Sequence, residues 1–173
     1  MRYNYILTAV AAIALSSVAG RAGGDDIDRT TISNLDVERY MGLWYEIARF
    51  DHRFERNLEE CKALYTMRPN GKISVENSGV NAVSGQVKVA HGKAKMGKRA
   101  GALRVSFFLW FYSDYNILAL DKEYQWALIG SHSPRYLWIL ARTPKLSDEV
   151  LNSIIDIARE RGYDTSQLIY VRQ

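Results

Sequence analysis

The chain contains many short segments in which apolar and polar residues alternate, separated by turns that contain glycine, asparagine and charged residues. Period-two alternation gives a strand one apolar and one polar face, so each segment predicts a β-strand. The eight predicted strands cover residues 42–50, 61–68, 72–80, 86–96, 102–108, 115–121, 124–130 and 136–142. Eight short strands joined in sequence predict an all-β fold, an eight-stranded up-and-down antiparallel barrel.

One segment has a helical period instead. Ser147 is suited to cap a helix, Asp148 and Glu149 favour its first turn, and apolar residues then recur every three or four positions. Gly162 ends the predicted helix. A short final strand over residues 167–171 completes the predicted architecture.

Two motifs resemble those of a known family. The first is Gly42-x-Trp44-Tyr45-x-Ile47-Ala48, within the run 35–56, and the second is Tyr136 to Pro144, which includes Arg142. Both resemble the lipocalins, and the first resembles their bacterial outer-membrane branch in particular. A third lipocalin motif is only partly kept, with Asp121 standing for its aspartate. The resemblance implies a lipocalin domain over residues 34–173, with the helix packed on the barrel.

The strand order brings the start of the first strand and the end of the eighth to the same end of the barrel. The resemblance implies that Arg142 packs on Trp44 there, a cation–π contact of about 0.5–2 kcal/mol. Gly42 and Asp121 belong to the same end. We expect these four residues to be structural and to close the base of the barrel.

The opposite end is the predicted mouth, where Arg49, Arg53 and Arg56 are expected to meet a carboxylate or phosphate headgroup. Strand alternation predicts a lumen lined by Ala48, Tyr65, Asn77, Val105, Phe107, Tyr115, Ile117, Tyr136 and Trp138. An apolar lumen of this size suits one acyl chain, so the predicted partner is a single-chain lipid, a fatty acid or a lysophospholipid. The alternative is a barrel packed by its own side chains.

An apolar and aromatic run, 107–112, begins at the end of the fifth predicted strand, and its members Leu109, Trp110, Phe111 and Tyr112 fall in the predicted loop 109–114. Strand alternation does not explain such a run on a loop. Three interpretations remain: a homodimer interface, a gate that folds into the lumen, and a peripheral membrane contact.

Composition narrows the function. The formal net charge is +4, and removal of residues 1–22 with Arg2 and Arg21 leaves +2, which argues against a nucleic-acid partner. The single cysteine, Cys61, predicts a buried thiol and excludes an internal disulfide. We predict no cofactor and no metal site, because none of the three histidines has zinc-ligand spacing.

We predict a binding protein, a carrier or store for envelope lipids, rather than an enzyme, because no catalytic fingerprint is present. Two alternatives stay open. One is a lipid-modifying enzyme that uses Glu46 as a base, and the other is an interaction protein that uses the 109–112 loop.

The amino-terminal residues predict export. Residues 1–22 have a basic start, an apolar run and small residues, as in a signal peptide, and the polar residues 23–33 predict a disordered leader. Relatives are often lipoproteins whose signal ends before an acylated cysteine, but here Arg21 follows Val18-Ala19-Gly20. We therefore expect an exported, periplasmic protein cut between residues 19 and 22, with a membrane-anchored form as the second interpretation.

Overall fold

The computed structural model describes residues 27–173 and confirms the predicted all-β barrel. The barrel strands are β1 (Gly42–Phe50), β2 (Leu58–Met67), β3 (Ile73–Asn81), β4 (Val87–Met96), β5 (Ala102–Phe108), β6 (Phe111–Leu120), β7 (Trp126–Gly130) and β8 (Leu137–Ala141). Each strand pairs antiparallel with the next, and β1 pairs with both β2 and β8. The sheet is therefore closed.

Four further elements flank the barrel. Helix α1 (Val37–Tyr40) leads into β1, helix α2 (Asp148–Glu160) follows β8, and a 3-10 turn (Thr165–Gln167) precedes β9 (Leu168–Tyr170). Ser147 caps α2 by accepting the backbone N–H of Val150 at 3.3 Å. Strand β9 pairs with β1. The predicted helix and final strand are thus confirmed.

Two apolar cores lie on opposite sides of the barrel wall. The inner core lies inside the barrel around the wholly buried Trp44, and the outer core lies between the wall and the buried face of α2, which includes Ile154 and Ala158. Strand alternation sends successive side chains to the two cores in turn.

A β-bulge in β1 reverses this alternation halfway along the strand. Glu46 pairs with Leu140, but Ala48 pairs with Ile139, so Ile47 is an extra residue on β1. As a result Ile47 and Ala48 both lie in the outer core, and Arg49 turns inward. The prediction of Ala48 as a lumen residue was wrong, because it assumed an unbroken period of two.

The prediction of a disordered leader is wrong for residues 27–33. Ile27 is buried in the outer core, and the N–H of Ile32 donates to the carbonyl of Ile117 at 3.0 Å. A Cβ at Gly101, which has φ +69°, would lie 2.6 Å from Ile32, so this glycine lets the leader pack closely. The predicted signal peptide, residues 1–22, lies outside the described residues.

Two strands begin earlier than predicted. Strand β6 begins at Phe111, which pairs with Phe108, so only Leu109 and Trp110 remain in a tight hairpin turn instead of the predicted loop 109–114. Strand β2 begins at Leu58 and carries an irregularity before Lys62. Within residues 27–173, no helix has the length and apolar character needed to cross a membrane.

Candidate functional site

The closed end of the barrel is sealed by a tryptophan and an arginine. The guanidinium carbon of Arg142 lies 3.8 Å from the centroid of the Trp44 ring, which confirms the expected cation–π pair. Trp44 is wholly buried, and its indole N–H donates to the carbonyl of Tyr40 at 2.9 Å. Gly42 has φ +97°, and a Cβ there would lie 3.4 Å from the Arg142 guanidinium.

Backbone carbonyls satisfy Arg142. It donates to Arg39 at 2.7 Å, Leu43 at 2.8 Å, Met41 at 2.9 Å and Tyr124 at 3.3 Å. Burial without an acidic partner lowers the pKa of Arg142. The planar guanidinium therefore links two segments, the residues that lead into β1 and the turn before β7, and all its acceptors are neutral carbonyls.

Asp121 acts on the same end indirectly. Its carboxylate accepts the backbone N–H groups of Glu123 at 3.0 Å and Gln125 at 3.1 Å. These bonds shape the turn that presents the Tyr124 carbonyl to Arg142. We call the Trp44–Arg142 assembly the floor.

Three tyrosine hydroxyls meet above the floor. The hydroxyls of Tyr40 and Tyr115 are 2.6 Å apart, and that of Tyr65 donates to Tyr115 at 3.1 Å. Burial raises the pKa of Tyr65 to about 12 and raises the pKa values of Tyr40 and Tyr115 well above their usual value. The phenols are therefore protonated and form a neutral polar layer inside the barrel.

The inner wall changes character above this layer. Side chains near the floor, such as Ile73, Ile117 and Ala127, are wholly buried, and so is Ile129, which pairs with Trp138. Inward-facing side chains nearer the mouth keep part of their surface accessible, namely Asn77, Ala90, Val105, Phe107 and Trp138. Accessible surface on an inward face means that neighbouring side chains do not fill the space beside it.

Most of the predicted lumen residues lie on the inner face. Besides Ala48, which faces outward, the structure places the other eight inside: Tyr65, Asn77, Val105, Phe107, Tyr115, Ile117, Tyr136 and Trp138. Tyr136 precedes β8, and its ring lies parallel to that of Trp138 with centroids 5.9 Å apart. Together they form one aromatic wall at the mouth.

A buried ionic cluster lies beside this wall. Arg49 is 3% exposed, and its guanidinium donates to the Glu46 carboxylate at 2.6 Å and to the Glu55 carbonyl at 2.7 Å. The Glu55 carboxylate lies 3.9 Å from the Arg49 guanidinium and accepts the Trp138 indole N–H at 3.1 Å. We call Glu46, Arg49, His52 and Glu55 the mouth cluster.

Its acids and its histidine have displaced pKa values. Burial, opposed by Arg49, raises the pKa of both Glu46 and Glu55. Burial and the charge of Arg49 lower the pKa of His52 to about 4. A ring nitrogen of His52 lies 3.2 Å from Glu55, but neither nitrogen has an aligned hydrogen bond, so we treat this imidazole as neutral at pH 7.

The predicted headgroup role of Arg49 does not fit this geometry. Arg49 is buried and its charge is already opposed by the Glu46 and Glu55 carboxylates, so an anionic ligand beside it would also meet two acids, although its Nε has no hydrogen-bond partner. Sequence reasoning also missed Glu55, whose only signal was a carboxylate three residues after His52 in an aromatic loop. Arg53 is exposed at the mouth, and Arg56 pairs with Asp51 at 2.5 Å.

The hairpin tip between β5 and β6 faces solvent. Leu109, Trp110 and Phe111 are 53%, 72% and 51% exposed, whereas Phe107 faces inward. The tip therefore does not fold into the lumen, which argues against the gate interpretation. Tyr112 lies on the outer wall, where Lys95 sits 4.5 Å from its ring centroid.

The described residues bring together no group of three or more histidine, cysteine or acidic side chains able to hold a metal ion. Cys61 is buried, and burial raises the pKa of its thiol to about 12. A thiol so resistant to ionisation is a poor nucleophile.

The closed eight-stranded barrel with its sealed floor, outer helix and apolar interior defines the lipocalin class of small-molecule binders. The family described as Lipocalin-like domain matches residues 35–173, and the chain belongs to this family. Lipocalins are in general binding proteins rather than enzymes.

Relatives place the chain near a bacterial branch. It is 47% identical to the outer membrane lipoprotein Blc of Escherichia coli K12 over 146 residues, covering 83% of this chain and 82% of that protein. It is 43% identical to Blc of Vibrio cholerae, covering 82% and 85%. Insecticyanin of the tobacco hornworm Manduca sexta has the same fold, with 21% identity, a TM-score of 0.73 and 88% of each chain covered.

Proposed function

We propose that this lipocalin is an exported carrier that holds one single-chain lipid, a fatty acid or a lysophospholipid, in the upper lumen, and that it serves envelope lipid maintenance. The observation that carries the proposal is the contrast along the inner wall. Several side chains above the tyrosine layer, among them Asn77, Phe107 and Trp138, face inward and remain accessible, whereas those at the floor are wholly buried.

The chemistry of this upper wall suits an acyl chain. Val105, Phe107 and the Tyr136–Trp138 wall are apolar or aromatic, and Ala90 is small. Burial of a methylene contributes about 0.8 kcal/mol, so a chain of ordinary length gains micromolar affinity without strong polar contacts. The kinship with outer membrane lipoproteins supports export and an envelope setting.

Native mass spectrometry of the purified protein, followed by lipid extraction, tests the proposal. We expect a co-purified single-chain lipid or, after delipidation, stoichiometric uptake of a fluorescent fatty acid. Ala90→Trp should abolish uptake by filling the lumen. His91→Trp is the matched control, because the adjacent His91 side chain lies on the outer face, 69% exposed. Empty wild-type protein that also ignores the fatty acid contradicts the proposal.

The enzyme alternative depends on Glu46, and the ion pair with Arg49 at 2.6 Å opposes a role as free base. We propose binding without turnover. Incubation of candidate lipids with wild type and Glu46→Gln tests this. Turnover that disappears in the variant contradicts a pure carrier.

A second role rests on the exposed hairpin tip, since Leu109, Trp110 and Phe111 present apolar surface at the mouth end. We propose that this tip makes a homodimer or peripheral membrane contact. Sizing and vesicle sedimentation of wild type and Trp110→Ser separate the two. A monomer that ignores vesicles in both forms removes the role.

A further inference from the structure

Strand β4 presents different lysines to its two faces. Its pairing with β3 runs without a shift from Ile73–Ala94 to Val80–Val87, so its side chains alternate strictly. Ala94 is buried in the inner core, whereas Lys93 and Lys95 lie over the Tyr112 ring outside. Lys88 is six positions from Ala94 and therefore lies on the inner face, at the mouth end.

The neighbours of Lys88 on the inner face are small or polar. Lys88 pairs with Gly79, and the next inner pair towards the floor is Ala90 with Asn77. Diagonal neighbours in such a ladder lie about 7–8 Å apart, within reach of a long side chain. Lys88 and Asn77 can therefore meet the same group from adjacent rungs of the ladder.

Each of the two residues has a polar atom without a partner. Within residues 27–173, Lys88 has no ion-pair partner, and the side-chain oxygen of Asn77 is buried without a hydrogen bond. A buried amide without a partner is costly unless a ligand or water completes it. The amide group can rotate to donate its N–H, since the two orientations occupy the same space.

The mouth cluster does not compete for an anion. Arg49 is opposed by Glu46 and Glu55, so an anionic headgroup near it would face one cation and two acids. Lys88 instead offers an unopposed charge on β4, and in the closed ring of eight strands β4 is opposite β8 and its aromatic wall.

We propose that Lys88 and Asn77 form the headgroup subsite of the lumen and bind an anionic oxygen, of a carboxylate or a phosphate ester, on a single-chain lipid. This inference rests on the proposed carrier function and makes it more specific. The ammonium group of Lys88 and the amide N–H of Asn77 donate to the anion, and the acyl chain runs down towards Val105 and Tyr115. The headgroup stays at the mouth.

The test compares lipids that share a chain but differ in the headgroup. Binding of lauric acid, dodecyl phosphate and dodecanol is measured by calorimetry for wild type, Lys88→Gln and Lys95→Gln. We expect Lys88→Gln to weaken the binding of each anion by about tenfold or more, since a hydrogen bond to a charged group is lost. The affinity for dodecanol, which carries no charge, should change less than twofold. Lys95→Gln, on the outer face of the same strand, should leave the affinity for all three lipids unchanged.

Two more variants sharpen the result. Asn77→Ala should weaken the binding of the anionic lipids by about fivefold, as expected for the loss of one hydrogen bond. Lys88→Glu should bind dodecylamine more tightly than wild type does, because the subsite would then carry the opposite charge. A gain of this kind cannot come from unfolding.

Each outcome decides something. If Lys88→Gln loses affinity for lauric acid alone, the ligand is a free fatty acid; if it loses affinity for dodecyl phosphate alone, the ligand is a phosphate-bearing lipid. If it loses affinity for both, the subsite recognises the anionic charge that they share. All three results support the subsite. Unchanged anion binding in Lys88→Gln, or equal loss of dodecanol, overturns it. If wild type binds dodecanol while Lys88 has no effect, only the subsite fails. If wild type binds none of the three, the carrier function fails with it.

Discussion

Each end of the barrel holds an arginine, half-buried at the floor and buried at the mouth, and the two sites differ in what opposes its charge. At the floor, Arg142 donates to four backbone carbonyls and lies on the Trp44 ring. At the mouth, Arg49 meets Glu46 and Glu55. The direct partners of Arg142 are neutral and include no acid or histidine. The partners of Arg49 include two carboxylates, which can take up protons. The same residue type thus produces a fixed seal at one end and a pH-sensitive site at the other.

The largest expected effect comes from Arg49→Met. Removing the cation leaves two buried carboxylates unpaired, which should lower the free energy of unfolding by about 3–5 kcal/mol at pH 7. Urea denaturation at pH 7 and pH 5 measures it. The deficit should shrink at pH 5, because the raised carboxyl pKa values let both acids take up protons in the folded state. Glu46→Gln with Arg49→Met should recover part of the loss; a deficit equal at both pH values would contradict the account.

Arg142→Met should cost about 2–3 kcal/mol, the sum of a lost cation–π contact and unsatisfied carbonyls. Because no acid contacts Arg142, the cost should be the same at pH 5 and pH 7. The measurement is again urea denaturation, with Arg142→Lys as an intermediate that keeps the charge and loses the fork. A cost that varied with pH would remove the distinction between the two ends.

His52→Gln isolates the histidine of the mouth cluster. The folded pKa of about 4 lies below the ordinary value of 6.5, so His52 contributes stability above pH 6.5 that is lost as pH falls towards 4. Relative to His52→Gln, wild type should lose about 2 kcal/mol between pH 7 and pH 5. His132→Gln, on an exposed loop, is the matched control. Parallel pH profiles for wild type and His52→Gln would show that this imidazole is not desolvated.

The smallest effect is expected at the hairpin tip. Trp110 is 72% exposed, so Trp110→Ser should change the free energy of unfolding by less than about 0.5 kcal/mol. Thermal and urea denaturation measure the change. A larger loss would mean that the tip packs against the barrel, and the proposed contact role would lose its basis.

The sequence predicted the floor better than the mouth, for a physical reason. Trp44 and Arg142 could be paired from strand order and a family motif, because the first half of β1 alternates regularly. The bulge at Ile47 broke that alternation and exchanged the faces of Ala48 and Arg49. A single sequence does not mark where an extra residue enters a strand. The same limit hid Glu55, which reaches the cluster from a loop.

Strand β4 illustrates a second limit. This strand carries three lysines, Lys88, Lys93 and Lys95, and Lys88 differs in parity from the other two. The strict register, which only the pairing with β3 establishes, separates them.

The leader was missed for a third reason, since Ile27 and Ile32 are isolated apolar residues in a polar stretch and gain their partners only from the folded barrel.

The extra residue at Ile47 also has an implication for how such barrels diversify. Because of this extra residue, β1 pairs with β8 in one register on the floor side of Ile47 and in another register on the mouth side. Replacement of the segment beyond it, with the following loop, should therefore leave the base in register. Protein engineers could exchange the upper half of this chain to recognise new cargo while keeping the lower half as an unaltered foundation.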